Sequence, residues 1–317
     1  MKKLRTIFFG TPDFAVATLE MLAHHPLIEI VAVVSMPDRP AGRGQDLKSP
    51  EVVRFAQSQK IPVIQTENIN REDATLANWE ASKVDVMVVL AFAQFLGSRV
   101  LAIPALGCFN IHTSLLPKYR GAAPIQYALW NGDTSTGVSI QKMVKKMDAG
   151  DIVHSHPVSI APNETGGQLT TRLKFQAALA CNDFIEKLSR GSLVASPQDE
   201  TLVTFAPTLK KEDGFLDFAN QTVAQIHNRV RAMDPWPGTY CFLESKRLKV
   251  LAIDKTLANV RSGNLENHQN TLVVGCLDGA IRLSLVQLEG KKASSDIELL
   301  NGWRGNLTLT PPAKESK

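Results

Sequence analysis

The stretch Leu4-Arg5-Thr6-Ile7-Phe8-Phe9-Gly10-Thr11-Pro12-Asp13-Phe14-Ala15-Val16 decides the fold of the first half of the chain. Leu4–Phe9 is rich in β-branched and aromatic residues with little polar alternation, the signature of a strand covered on both faces. Gly10 permits a tight turn, Thr11 reads as a helix N-cap, and Pro12 suits the first helical position. Val16, Leu19, Leu22 and Ala23 then repeat on one helical face. Strand, tight turn and amphipathic helix make half of a βαβ unit. Outward from it, Ile28–Ser35, Pro62–Gln65, Val84–Leu90 and Gly107–Ile111 read as further strands separated by helix-period segments. Such alternation implies right-handed crossovers and a parallel sheet, an α/β fold. Val138–Val144 and Ile152–Ile160 read as a closing strand pair, and Gln168–Leu188 as a long amphipathic helix.

At 317 residues and 34.7 kDa the chain suits two domains. Arg190–Glu200 loses periodicity and carries Gly, Ser and Pro, so residues 190–207 are read as a linker between domains at 1–189 and 208–317. In the second domain a helix with Val223, Ile226, Val230 and Met233 precedes Pro235-Trp236-Pro237-Gly238. Short runs follow at Tyr240–Leu243, Leu248–Ile253, Leu272–Cys276 and Ile281–Val286, a pattern expected of a small β-barrel.

Composition excludes several classes. Hydrophobic residues at 44% and charged residues at 21% leave no case for disorder, collagen or coiled coil. No run of 18 apolar residues exists, so no membrane span is expected. The basic start is cut off by Gly10-Thr11-Pro12-Asp13 too early for a secretory h-region. Cys108, Cys181, Cys241 and Cys276 lack zinc or redox spacing and are expected as reduced thiols in the cytoplasm. The net charge of +4 permits a polyanionic partner without demanding one.

The first strand–helix turn has one glycine where a dinucleotide site needs G-x-G-x-x-G, and Pro12 removes a helix-terminal N–H, so NAD is disfavoured. The densest polar string, Asn110-Ile111-His112-Thr113-Ser114-Leu115-Leu116-Pro117-Lys118-Tyr119-Arg120-Gly121, starts where a strand ends. Asn110 and His112 are two apart and point to one face of an extended segment. Together they read either as oxyanion donors or as a satisfied buried histidine beside a turn asparagine. Asp148, in Met147-Asp148-Ala149-Gly150-Asp151, reads either as a carboxylate that orients His112 and takes a proton or as an Asx-turn residue. His154 and His156 share a strand face. With no third ligand evident they read as surface histidines, and no metal is expected. Ser114 lacks a G-x-S-x-G elbow, which argues against a serine hydrolase. The loop Met36–Pro50 exceeds about 12 residues and carries Arg39, Arg43 and Lys48; Arg43, between two glycines, can be presented to phosphates or base edges.

Asn110–Gln126 with Met147–Asp151 resembles the signature of the 10-formyltetrahydrofolate-dependent formyltransferases. Phe9–Ala15, the loop Pro37–Gly44 and Gln198-Asp199-Glu200-Thr201 narrow the resemblance to the branch acting on methionyl-initiator tRNA. The likeness runs from about residue 4 to residue 304. It implies a Rossmann-like catalytic domain followed by a small OB-like β-barrel that binds tRNA. It implies Asn110, His112 and Asp148 as catalytic residues, with Ser114, Leu115, Leu116, Pro117 and Phe92 at the folate site. Arg43 matches the loop arginine that meets the tRNA acceptor end, with Arg39 and Lys48 beside it. The implied activity is transfer of the formyl group of 10-formyltetrahydrofolate, as co-substrate, to the α-amino group of the aminoacyl-tRNA. A cytoplasmic monomer without metal or membrane is expected, with Lys118 and Arg120 adding to RNA attraction. The related enzymes acting on amino-sugar nucleotides share the three catalytic positions but need no arginine-bearing loop. A non-catalytic RNA-binding module is the other alternative.

Overall fold

The computed structural model describes residues 3–41 and 46–311. Two units divide the chain: residues 1–124, 135–159 and 170–206 form the first, and 125–134, 160–169 and 207–317 the second.

In the first unit, β1 (Leu4–Phe9) leads through a 3-10 turn at Asp13–Ala15 to α1 (Val16–His24) and β2 (Ile28–Ser35). β3 (Arg39–Ala41) and β4 (Asp46–Lys48) form a small hairpin within the stretch read as a loop. Next come α2 (Glu51–Ser58), β5 (Val63–Gln65), α3 (Asp73–Ala81), β6 (Val86–Val89), α4 (Ser98–Ala102) and β7 (Gly107–His112). β8 (Ser135–Lys142), β9 (Ile152–Ser159) and α6 (Gly166–Ser189) follow; α5 (Pro124–Trp130), between β7 and β8 in the chain, belongs to the second unit from residue 125 on, as does the start of α6 up to residue 169. The main sheet runs β5-β2-β1-β6-β7-β8-β9. Its first five strands are parallel, whereas β8 and β9 are antiparallel to their neighbours. Ile7, Phe8 and Phe9 of the central strand have no exposed surface, which is why β1 shows no polar alternation. Burying side chains of this size contributes about 1.5–3 kcal/mol each.

Thr11 does not cap α1. Pro12 occupies the N-cap of the intervening 3-10 turn, and Thr11 Oγ1 accepts the Met36 N–H at 3.3 Å. The threonine therefore joins the end of β1 to the end of β2. The strand order reverses between β1 and β6, the point where open α/β sheets bind ligands beyond their carboxyl ends. Gly10 lies there. A Cβ on it would stand 2.8 Å from the Phe8 ring and 2.9 Å from Ala15, so only glycine fits the turn.

The second unit holds α7 (Val223–Ala232), capped by a reciprocal Thr222–Gln225 box. A curled antiparallel sheet follows: β10 (Thr239–Leu243), β11 (Lys246–Lys255), β12 (Leu265–His268), β13 (Thr271–Cys276), β14 (Gly279–Leu288), β15 (Ser294–Ser295) and β16 (Leu309–Thr310), with α8 (Asp296–Gly302) between the last two. The strand order is β12-β13-β14-β11-β10-β16, with β15 on β14. Leu248, Val250, Leu272, Val274, Ile281 and Leu283 build its core with Phe218 and Ile226. Among the described residues no helix is long and apolar enough to cross a membrane.

Candidate active site

Asn110 and His112 close β7 on one face, as their spacing predicts. The antiparallel register sets Gln141 opposite Asn110 and Ser139 opposite His112. The loop after β8 then folds back and brings Asp148 to the same place. Asp148 Oδ1 accepts from Gln141 Nε2 at 3.0 Å and from Asn110 Nδ2 at 3.4 Å. Oδ2 accepts the Gly121 N–H at 2.9 Å and lies 3.8 Å from His112 Nδ1. The His112 and Asp148 side chains are 6% and 12% exposed, so the three groups meet in a nearly dry setting that still admits solvent at Asp148. Amide, imidazole and carboxylate, from positions up to 38 residues apart, converge at one end of one sheet.

His112 Nε2 lies 2.8 Å from the Tyr119 carbonyl. A carbonyl only accepts, so Nε2 carries the hydrogen, and in the neutral ring Nδ1 presents a lone pair towards Asp148. The tautomer is thus set by a backbone oxygen, while the carboxylate faces the other ring nitrogen. Backbone strain holds this arrangement: Tyr119 and Asp148 take φ of 61° and 51°. Left-handed conformations at non-glycine residues cost about 1–3 kcal/mol and persist where the surroundings over-determine them. Here those surroundings are explicit. Gln141 Oε1 accepts the Gly150 N–H at 3.0 Å, and Gln198 Nε2 donates to the carbonyls of Asp148 and Gly150 at 2.9 and 2.7 Å.

The same Gln198 anchors Arg120, whose Nε and Nη2 donate to Gln198 Oε1 at 3.0 and 2.8 Å. Arg120 Nη2 also pairs with Glu200 Oε1 at 2.8 Å, and Lys146 Nζ reaches Glu200 Oε2 at 2.7 Å. These two cations hold the Glu200 carboxyl down at about 2 from its ordinary 4.5. Arg120 is only 1% exposed. It is therefore a buried strut behind the Asp148 loop and does not reach RNA, contrary to the expectation from its charge. Backbone bonds from Arg120 N to Thr204 O and from Ala206 N to Arg120 O join residues 204–206 to the same turn. Sequence reading missed Gln141, Gly121 and the struts. The one signal was the string Gln198–Thr201, noticed for its likeness but not for its contacts.

Of the folate candidates, Ser114 is fully buried and its Oγ donates to Lys118 O at 2.6 Å, so its hydroxyl braces the turn. Ser139 Oγ accepts the Leu116 N–H at 3.0 Å and donates to Ser114 O at 2.8 Å, which fixes the path of Ser114-Leu115-Leu116-Pro117. Leu115 and Pro117 are half-buried and Leu116 is buried. Phe92 is half-buried past the end of β6 and packs edge-on to Phe9 at 5.4 Å, at the reversal of strand order. Ala91 before it has a φ of 51°. Of the RNA candidates, Arg39 pairs with Glu67 at 2.7 Å and Lys48 is exposed, the two facing each other across the β3–β4 hairpin. Arg43 lies outside the described residues. All four cysteines are free and buried, and burial pushes the Cys108 and Cys241 thiols up to about 12.

A cavity of about 780 Å³ belongs to the second unit, lined by His227, Asn228, Arg231, Asp254 and Lys255 among others. None of the three convergent residues lines it. The placement of functional groups favours the end of β7 instead, where amide, imidazole and carboxylate converge beside two strained residues, Tyr119 and Asp148.

Residues 2–183 match the family described as formyl transferase, and residues 208–304 match the formyl transferase C-terminal domain. Methionyl-tRNA formyltransferase of Geobacter metallireducens is 40% identical over 305 residues, covering 96% of this chain and 97% of that protein. The Geobacter sulfurreducens protein of the same name is 41% identical, covering 96% of this chain and 95% of its own length. The Thermotoga maritima protein of that name is 38% identical, covering 94% and 95%. Among solved structures, WlaRD, a sugar 3N-formyl transferase, superposes with a TM-score of 0.67 at 18% identity. It covers 92% of this chain and all of WlaRD, a likeness of fold.

Proposed function

The chain belongs to the formyl transferase family over both of its domains, and from that premise we propose that Asn110, His112 and Asp148 carry the transfer. The protein is a methionyl-tRNA formyltransferase: it moves the formyl group of 10-formyltetrahydrofolate to the α-amino group of Met-tRNA. The observation that supports the residue assignment is the convergence of the three side chains on one point, with Nδ1 of His112 facing Asp148 Oδ2 at 3.8 Å.

The chemistry is acyl transfer between two nitrogens. The neutral amine attacks the formyl carbon, a C–N bond forms, and the carbonyl oxygen becomes an oxyanion. Asn110 uses one amide hydrogen on Asp148 and has a second for that oxygen. His112 Nδ1 takes the proton released by the attacking nitrogen, and the nearby Asp148 carboxylate stabilises the imidazolium. The imidazolium then returns the proton to N10 as the C–N10 bond breaks. Formyl-methionyl-tRNA and tetrahydrofolate result, with charge and protons balanced.

The folate lies along Ser114–Pro117 and Phe92, and the initiator acceptor end meets the loop carrying Arg39, Arg43 and Lys48. The curled C-terminal sheet adds electrostatic attraction: residues 207–317 hold 15 Lys and Arg against 12 Asp and Glu. The enzyme acts as a monomer in the cytoplasm, where charged tRNA and folate occur and where four free thiols are at home. The test offers the purified protein formyl-folate with either initiator Met-tRNA or an amino-sugar nucleotide. Formyl-methionyl-tRNA is the expected product; formylation of the sugar nucleotide alone overturns the reading.

A further inference from the structure

The histidines left over from the sequence reading acquire a third partner in the fold. His154 and His156 lie on β9, the edge strand of the main sheet, two residues apart and on one face. Beside that face runs α6, where Gln176, Asp183 and Lys187 recur at intervals of seven and four residues, a single stripe. One ligand atom each from His154, His156 and Asp183 falls within a 4.8 Å span. The missing third ligand was unreadable because it comes from a helix 27 residues further along the chain.

The polar contacts around the cluster select which nitrogens are free. His156 Nε2 donates to Gln176 Oε1 at 2.7 Å, so its Nδ1 carries a lone pair. Histidine ligands of metals are held by such a bond from their other nitrogen, which orients the ring and raises its basicity. His154 Nε2 is buried and has no hydrogen-bond partner. Because Nδ1 accepts from the Lys187 ammonium, Nε2 carries the ring hydrogen and finds no acceptor, a penalty that is removed once that hydrogen moves to Nδ1 and Nε2 takes a cation. Two imidazoles and one carboxylate are the donors that suit zinc, with water completing the tetrahedron.

We propose that His154, His156 and Asp183 form a site for a divalent transition metal of the zinc type, which ties edge strand β9 to α6. It is separate from the catalytic residues, which stand on β7 and the loop after β8. Zinc holds nitrogen at about 2.0–2.1 Å, which places ligand atoms roughly 3.3 Å apart, so the cluster contracts on binding. Lys187 opposes this contraction. Its Nζ lies 3.3 Å from His154 Nδ1, and for Nε2 to ligate the metal the proton must move to Nδ1 and the exposed ammonium must swing away. Lys187 is therefore a competitor of the cation, and its removal tightens binding.

The test titrates ZnCl2 into the chelator-treated full-length protein by calorimetry, with cobalt(II) absorption as a second readout. One ion per chain is expected, together with a Tm that rises with zinc concentration. His154→Gln and Asp183→Asn each weaken binding at least tenfold, while Lys187→Met tightens it about tenfold through lost charge repulsion. Circular dichroism that matches the parent shows that the variants are folded, and their formylation turnover is unchanged. Absence of binding, or zinc affinity and cobalt spectra unaltered in the His154→Gln/His156→Gln double variant, overturns the proposal.

Discussion

His112 has a different neighbour at each ring nitrogen. The Tyr119 carbonyl fixes its Nε2–H, and Asp148 Oδ2 stands 3.8 Å from Nδ1, close enough to stabilise the proton that the proposed mechanism places there. Asn110 differs: it contributes a donor and no proton. Asn110→Ala is expected to lower kcat about 10²–10³-fold, the usual effect of losing one oxyanion donor, with folate KM little changed. Steady-state kinetics at saturating Met-tRNA read this directly. Gln141 acts through Asp148, spending both ends of its amide on Oδ1 and on the Gly150 N–H. Gln141→Leu is expected to cost about tenfold in kcat with KM preserved, since Asp148 then loses a donor that positions it. The Asn110–His112 pair was legible in the sequence because period two is a local rule. Gln141 was not, because only the register of β8 against β7 places it opposite Asn110.

At the level of elements, the parallel strands were legible as apolar runs since they are buried on both faces, and their observed ends differ by only a few residues. The supports of the site were illegible for the converse reason. Residues 190–207 show no periodicity, yet Gln198, Glu200 and residues 204–206 carry the turn at Arg120 and the Asp148 loop. A segment that works through backbone bonds and isolated polar contacts leaves no repeating pattern. Gly121 is the tightest of these points. Its φ is +122°, its N–H binds Asp148, and an added Cβ would stand 2.6 Å from Ala206 O. Gly121→Ala is expected to destabilise by about 1–3 kcal/mol, read as a lower urea midpoint, and to lower kcat as well. Glu200 gives this element an acid limit. Its carboxyl is depressed in the folded state, so its contribution is complete above 4.5 and is lost as pH falls towards about 2. Glu200→Gln should therefore flatten the acid side of a Tm-versus-pH curve below 4.5 and leave the neutral region nearly parallel to the parent.

Over the whole molecule, two kinds of recognition are joined. On the proposed assignment the folate site is built from braced turns around one sheet end, whereas RNA attraction draws on exposed charge such as Lys48. Affinity for Met-tRNA is expected to fall steeply between low and moderate salt, roughly as a power of salt set by the phosphates neutralised, while folate affinity barely moves. Filter binding and fluorescence titration across a salt series distinguish the two. Composition could not have shown this division, because charge separates the halves of the chain only weakly. The likeness of motifs carried that part of the reading. What motifs could not carry is the meeting of Asn110, His112 and Asp148 in space, on which the catalytic account stands. Single-turnover formylation of initiator Met-tRNA by Asp148→Asn tests it most directly, with tRNA and folate saturating and folding verified by circular dichroism. The account predicts a rate at least about 10²-fold below the parent, with both affinities retained; a near-normal rate would contradict it.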